Sequence, residues 1–359
     1  MREINSNILI KKHAEEHYFT AFNTKTGLFI RCEYDGYDEP FWAVSGPELL
    51  DISITNWCDK GCRFCYRNSS VNGKMMSIID YEKIIQQACN VGVLQIAIGG
   101  GNPNQHPDFI EIIRLTREKY GIVPSFTTNG RGLTKEVINA AKQYCGAVAV
   151  SAYYPFDELR NAVGVLTNND IKTNIHFLLS SESVVEGIEL LSNIPDYLSK
   201  INAIIFLSYK PVGNESTEKL ILNNSDRFAE LFQLIAEKKY PFKIGFDSCS
   251  ISGITKYMNI NKRYLEACEA GRFSAFISEE MRMYPCSFMV NTCEGVDLRK
   301  YSLKEVWTDS VLFNKMRDRI KNNNCIDKCH LESICKGGCT IFDNINLCNI
   351  AVKVQTQNI

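Results

Sequence analysis

From about residue 50 to 240 the chain alternates short apolar runs with segments whose apolar residues recur at helical spacing. That βαβα rhythm predicts a parallel sheet covered by helices. Strands are expected at LDISIT (50–55), LQIAI (94–98), VPSFTT (123–128), AVAVS (147–151), TNIHFLL (173–179) and AIIFLS (203–208). Between them Asp80 precedes a stripe of Ile84, Ile85 and Ala88, Ser183 and Glu186 make a capping box, and Ser225 precedes Phe228, Leu231, Phe232 and Ile235. These βα units suit an incomplete barrel better than a closed eightfold one, so the expected fold class is α/β with a partial (β/α)6 TIM-type barrel over residues 47–245. Residues 1–46 contain an expected hairpin, with HYFTAF and LFIRC flanking the NTKTG turn, as a sheet edge or lid. Across 246–359 the rhythm stops. Cysteine, glycine and short loops dominate there, apart from one helix starting at the Ser302/Glu305 capping box, and metal clusters are expected to supply the cross-links.

Composition narrows the function. The 359 residues are 45% hydrophobic and 23% charged, the ordinary globular balance. Forty basic against 41 acidic residues leave a formal net charge of -1, so no grip on nucleic acid or on an anionic membrane surface is expected. The start, MREINSNILIKKH, has no apolar core segment, and no apolar run approaches the roughly 18 residues of a membrane span, so a cytoplasmic location is expected. Fifteen cysteines are the outlier. In a reducing compartment they are poor disulfide candidates and good thiolate ligands. Cys58, Cys62 and Cys65 form one tight group, and eight more crowd between Cys268 and Cys348. Cys32, Cys89 and Cys145 stand alone and read as small buried hydrophobes.

WCDKGCRFCYRN places Cys58, Cys62 and Cys65 in the spacing CxxxCxxC, immediately after the first barrel strand, where parallel α/β folds build their sites. So short a loop can wrap three thiolates around one iron-sulfur cube and offers no fourth, which leaves one iron open to substrate. The competing reading is a zinc site completed by a distant Cys or His. With Tyr66 following the last cysteine, the segment resembles the radical SAM superfamily. That resemblance implies a [4Fe-4S] cluster whose open iron chelates S-adenosylmethionine, and an electron from the reduced cluster that generates a 5'-deoxyadenosyl radical able to abstract hydrogen from substrate. Further segments fit the same template. Gly100 and Gly101 in GGGNP resemble the family's GGE segment, which binds the methionine amino end through its backbone, with Asn102 where Glu is usual. Thr128 and Asn129 in TTNG and Ser151 after the fourth strand resemble positions near the cofactor's ribose and carboxylate. On the fifth strand, alternation brings Asn174 or His176 toward the barrel interior; the bland alternative for His176 is a satisfied core imidazole.

CIDKCHLESICKGGC carries Cys325, Cys329, Cys335 and Cys339, followed by Cys348 and preceded by Cys268 and Cys286. The order resembles the SPASM extension of radical SAM enzymes, which implies two auxiliary [4Fe-4S] clusters and thus three in all. The resemblance puts one on Cys268, Cys286 and Cys339, with Cys249, Cys293 or an open iron completing it, and the other on Cys325, Cys329, Cys335 and Cys348. Met281 stands where that family has a glycine five residues before the second cysteine. A zinc ribbon is the alternative for this field.

Auxiliary clusters suit net oxidation or crosslink formation, and in enzymes of this build the common substrates are ribosomally made peptides. A peptide maturase with a flavodoxin- or ferredoxin-type electron donor is therefore the expectation. Some fifty residues before the barrel are too few for a winged-helix leader-binding module, so a separate leader-binding protein is the corollary for a leader peptide. Asp247, beside Cys249, is the candidate proton acceptor, or else caps a turn. Ser287 after Cys286 argues against sulfatase maturation, whose enzymes carry an Asp there. The alternatives are radical oxidation or rearrangement of a small sugar-like metabolite, and a non-catalytic iron-sulfur scaffold.

Overall fold

The computed structural model describes residues 2–5, 7–222, 226–261, 265–322 and 335–345. An antiparallel sheet comes first, of β1 (Arg2–Asn5), β2 (Ile8–His13), β3 (Tyr18–Asn23) and β4 (Phe29–Glu33). The expected hairpin is β3–β4, with Tyr18 opposite Glu33 and Phe22 opposite Phe29. Phe22 packs on Leu94 and Val123 at the amino ends of two barrel strands. The sheet therefore covers the barrel end away from the cysteine loop and is not a lid over it.

The barrel runs β5 (Leu49–Thr55), α1 (Ile78–Val91), β6 (Gln95–Gly100), α2 (Phe109–Glu118), β7 (Val123–Thr128), α3 (Lys135–Tyr144), β8 (Val148–Ala152), α4 (Asp157–Asn168), β9 (Thr173–Leu179), α5 (Val184–Ser192), β10 (Ala203–Ser208) and α6 (Asp226–Glu237). All six expected strands are present and parallel, in sequential order. On β5, Leu50, Ile52 and Ile54 join the core with the Tyr81, Ile84, Ile85 and Ala88 stripe of α1. Asp51 and Ser53, on alternate positions, point to the barrel interior.

Two helix starts differ from expectation. Ser77, not Asp80, caps α1, its hydroxyl accepting the Asp80 N–H at 3.1 Å. Ser183 makes no cap hydrogen bond, because the tight turn before α5 claims its hydroxyl: it donates to the Leu178 carbonyl at 2.7 Å and accepts the Ser180 N–H at 2.9 Å. Ser225 lies outside the described residues, while Phe228, Leu231, Phe232 and Ile235 are buried as expected.

Beyond the expected strands the sheet extends at both ends. β11 (Lys243–Phe246) pairs parallel with β10. After α7 (Ile251–Tyr257), strand β12 (Ser274–Ile277) pairs parallel with β5, followed by antiparallel β13 (Arg282–Tyr284) and β14 (Val296–Asp297), to complete a ten-stranded sheet. Met281 in the β12–β13 turn has φ +62°, a left-handed conformation that accounts for glycine at this position in relatives of the cysteine pattern. α8 (Leu303–Asp309) carries the expected Ser302/Glu305 capping box and leads into α9 (Val311–Lys321).

Candidate active site

The cysteine loop leaves the carboxyl end of β5 and is clamped by the segment after β10. Asn214 donates its backbone N–H to the Cys65 carbonyl at 3.0 Å and its side-chain N–H to the Cys62 carbonyl at 2.9 Å. Gly213, at φ +97°, lies so close that a Cβ would sit 2.2 Å from the Cys65 carbonyl oxygen. Two of the thiols receive a hydrogen-bond donor: Asn129 Nδ2 reaches Cys58 Sγ at 3.5 Å and Ser69 N–H meets Cys65 Sγ at 3.4 Å, while Tyr153 lines the cavity beside Cys62. Burial pushes the Cys62 thiol up to about 11, so it ionises near neutrality only when a metal takes the proton's place.

Opposite the thiols the glycine segment ends β6. Gly101 N–H donates to the Thr55 carbonyl at 2.7 Å. A Cβ on Gly100, at φ +117°, would stand 2.0 Å from that same oxygen, and one on Gly101 would stand 2.0 Å from the Trp57 carbonyl oxygen. The segment is glycine because backbone lies against backbone, and its free edge faces the cavity. Asn102 does not face it. Fully buried, it accepts from Thr128 Oγ1 at 3.0 Å and Asn129 N–H at 3.1 Å and donates to the Arg131 carbonyl at 3.1 Å. It thereby ties the β6 and β7 loops together from behind, which corrects the expectation of a direct cofactor contact.

Both loops open on a cavity of about 380 Å³ at the carboxyl end of the barrel, lined by Cys58, Cys62, Cys65, Tyr66, Gly100, Gly101, Thr128, Asn129, Ser151 and Asp247 among others. Of the two β9 candidates it takes His176 and not Asn174. Asn174 stands one interior position deeper and accepts from Asn202 Nδ2 at 2.7 Å. Burial pulls the His176 imidazole down to about 4, so it is neutral near pH 7. Several lining residues escaped sequence reasoning: Asp51, Arg67, Tyr153 and Lys210. Arg67 pairs with Glu279 at 2.5 Å, both side chains buried, and its Nε and Nη1 donors meet no acceptor among the described residues. Asp247 forms a buried ion pair with Lys210 and also accepts from Ser208 N–H, Ser208 Oγ and Ser250 Oγ at 2.8–3.0 Å. The interior alternation of LDISIT already carried the signal for Asp51; the Lys210 pairing had none.

Next to that pair four distant cysteines converge. Cys249 packs against the hydrophobic cluster that holds Cys339, and Cys268 and Cys286 lie within electrostatic reach of Cys249. Burial raises the Cys268 thiol to about 11 and pushes the Cys286 thiol up as well. Cys293 turns away to the Met289 carbonyl, 3.6 Å from its Sγ. Cys335 is described, at the start of the short segment leading to Cys339, but Cys325, Cys329 and Cys348 lie outside the described residues. Among the described residues no three His, Cys, Asp or Glu side chains close on a single ion. The lone Cys32, Cys89 and Cys145 are only partly buried, although the surroundings of Cys145 still push its thiol up to about 12.

Comparison with known proteins agrees with this geometry. The family model "Radical SAM superfamily" matches residues 52–185, from the strand that precedes the cysteine loop to the start of α5. The chain is 20% identical over 323 residues to an AdoMet-dependent heme synthase of Methanosarcina barkeri, covering 82% of this chain and 91% of that one. It is 24% identical over 314 residues to the mycofactocin maturase MftC of Mycobacterium tuberculosis, covering 82% and 79%. Among solved structures it superposes on Streptococcus suis SuiB bound to S-adenosylmethionine with a TM-score of 0.73 at 19% identity, covering 98% of this chain and all of the other. SuiB bound to its precursor peptide SuiA gives 0.71, covering 94% and 95%. Residues 52–185 are thus assigned to a radical SAM domain, and the similarity to these relatives extends over most of the chain. Among the described residues no helix is long and apolar enough to cross a membrane.

Proposed function

We propose that this enzyme modifies a ribosomally made peptide, with Cys58, Cys62 and Cys65 holding a [4Fe-4S] cluster at the cavity rim. The observation that carries the reading is the convergence of three thiols from one loop, two of them met by hydrogen-bond donors, on a cavity walled by the Gly100–Gly101 backbone. Donors to sulfur stabilise added electron density and so tune a cluster's potential. The cluster and S-adenosylmethionine together would supply a carbon-centred radical that takes hydrogen from substrate. The chain's own part is to bind and orient. Gly100 and Gly101 leave room for the methionine end, the spare donors of Arg67 suit a carboxylate, and Thr128, Asn129 and Ser151 line the side where a ribose fits. Tyr66 lies tilted against Phe288, with ring centroids 4.6 Å apart, and the two form an aromatic part of that wall.

The likeness to SuiB, seen with a precursor peptide, and to a mycofactocin maturase supports a peptide over a sugar-like metabolite. Cys249, Cys268, Cys286 and Cys339 are the set we assign to the first auxiliary cluster, with Cys249 as its fourth ligand in place of Cys293. The other set is Cys325, Cys329, Cys335 and Cys348. Such clusters suit an oxidation or crosslink, fed by a flavodoxin- or ferredoxin-type donor in a reducing cytoplasm, with leader recognition left to a separate protein. Anaerobic protein given dithionite and S-adenosylmethionine is expected to release 5'-deoxyadenosine, and short peptides encoded beside the gene to change mass. Changing Cys58, Cys62 and Cys65 together to Ala is expected to remove one of three clusters from the iron and sulfide count and to abolish the release. Release that survives the triple change ends the reading.

A further inference from the structure

The charged groups on the cavity wall are matched, with one exception. Lys210 is paired with Asp247 and Arg67 with Glu279. Asp51 is not. It lies in register with Ala97 of β6 and Phe276 of β12, lines the cavity, and has no hydrogen bond or ion pair with any described residue. An unpartnered carboxyl in such a place is costly, and proteins keep one chiefly where a ligand completes it. Its surroundings say which ligand. Tyr66 is near enough to feel its charge, Phe276 and Phe288 share the wall, and Ala97 leaves space beside it. A hydrophobic slot with one uncompensated negative charge complements an aliphatic stem that ends in an ammonium group.

We propose that Asp51 is the specificity determinant of this site and receives the ammonium of a lysine-like side chain of the substrate. The assignment rests on the peptide reading and names the kind of residue that enters the barrel. In the bound state the carboxylate accepts hydrogen bonds from the ammonium, while the stem lies along the aromatic wall. Asp247 offers no equivalent place, since four donors already meet its two oxygens.

The test needs no turnover and no knowledge of the natural peptide. Anaerobically reconstituted holoenzyme, with S-adenosylmethionine present, is titrated calorimetrically with Nα-acetyl-lysine methylamide and with its uncharged counterpart Nα-acetyl-norleucine methylamide. The lysine probe is expected to bind at least tenfold more tightly, and the preference to vanish in Asp51→Asn. That variant's integrity is read from its iron and sulfide content and its circular dichroism spectrum. In wild-type protein carrying 13C-aspartate and held at pH 5, the lysine probe is also expected to convert a protonated carboxyl infrared band into a carboxylate band. Equal binding of the two probes, no binding of the lysine probe, a preference that survives Asp51→Asn, or a band that converts on adding S-adenosylmethionine alone would each overturn the assignment. Loss of 5'-deoxyadenosine release from the wild type would instead strike the radical reading and leave the binding result standing.

Discussion

Two carboxyl groups face the same cavity from opposite sides, and their surroundings could hardly differ more. At the corner after β11, Asp247 meets Lys210, the Ser208 backbone and two serine hydroxyls. On the β5 wall, Asp51 meets no donor among the described residues, and burial lifts its carboxyl from near 3.8 to about 6. The first is a finished structural unit. It holds an ammonium in place between the cavity and the Cys249/Cys339 pair, and to accept a further proton it would have to surrender a hydrogen bond. The second is unfinished and available. In a site of this kind a carboxylate's saturation tells more about its role than its neighbourhood in sequence does.

The sharpest way to break the comparison is to unpair the corner. Lys210→Met would leave Asp247 as a buried charge without its cation, and a loss of about 3–5 kcal/mol in urea unfolding is expected; a loss under 1 kcal/mol would mean the corner is not the structural unit described. The wall should respond in the opposite direction. Between pH 4 and 6 folded Asp51 keeps a proton that the unfolded chain has released, so folding is progressively penalised as pH rises, with the full penalty above about 6. Asp51→Asn is therefore expected to stabilise the ligand-free protein by about 1–3 kcal/mol at pH 7 and by nothing near pH 4. Thermal unfolding at both pH values checks it, and destabilisation at pH 7 would sink the contrast. The smallest effect concerns His176. Its imidazole titrates near 4 when folded and near 6.5 when unfolded, so stability is present above 6.5 and is lost as pH falls toward 4. His176→Gln should reduce the stability difference between pH 8 and pH 5 by about 1–2 kcal/mol. An unchanged difference would place the ring in solvent rather than on the cavity wall.

Much of this was legible in the chain. All six barrel strands stand where the apolar runs put them, because a strand buried on one face and packed on its neighbours needs that pattern wherever it lies. The β3–β4 hairpin and the Ser302/Glu305 cap were equally local and equally readable. Less legible were features whose residues serve two masters. Ser183 has the spacing of a cap, but the turn before it claims the hydroxyl first. Asn102 sits in the glycine segment, yet its amide is spent behind the wall. β11 and β12 are four residues each, too short for periodicity to announce, and they take their place by adding to sheet edges already formed.

Composition and spacing alone determined the class of chemistry. Three thiols within one short loop are neighbours whatever the rest of the chain does, since a loop cannot carry them apart, and an apolar alternation names its strands for the same local reason. Which cysteine comes near Cys268 and Cys286, which carboxylate is saturated, and which β9 side chain reaches the cavity were decided only by the packed barrel. Those are contacts between residues scores of positions apart. Their energy depends on distances that exist only once the sheet has closed around them.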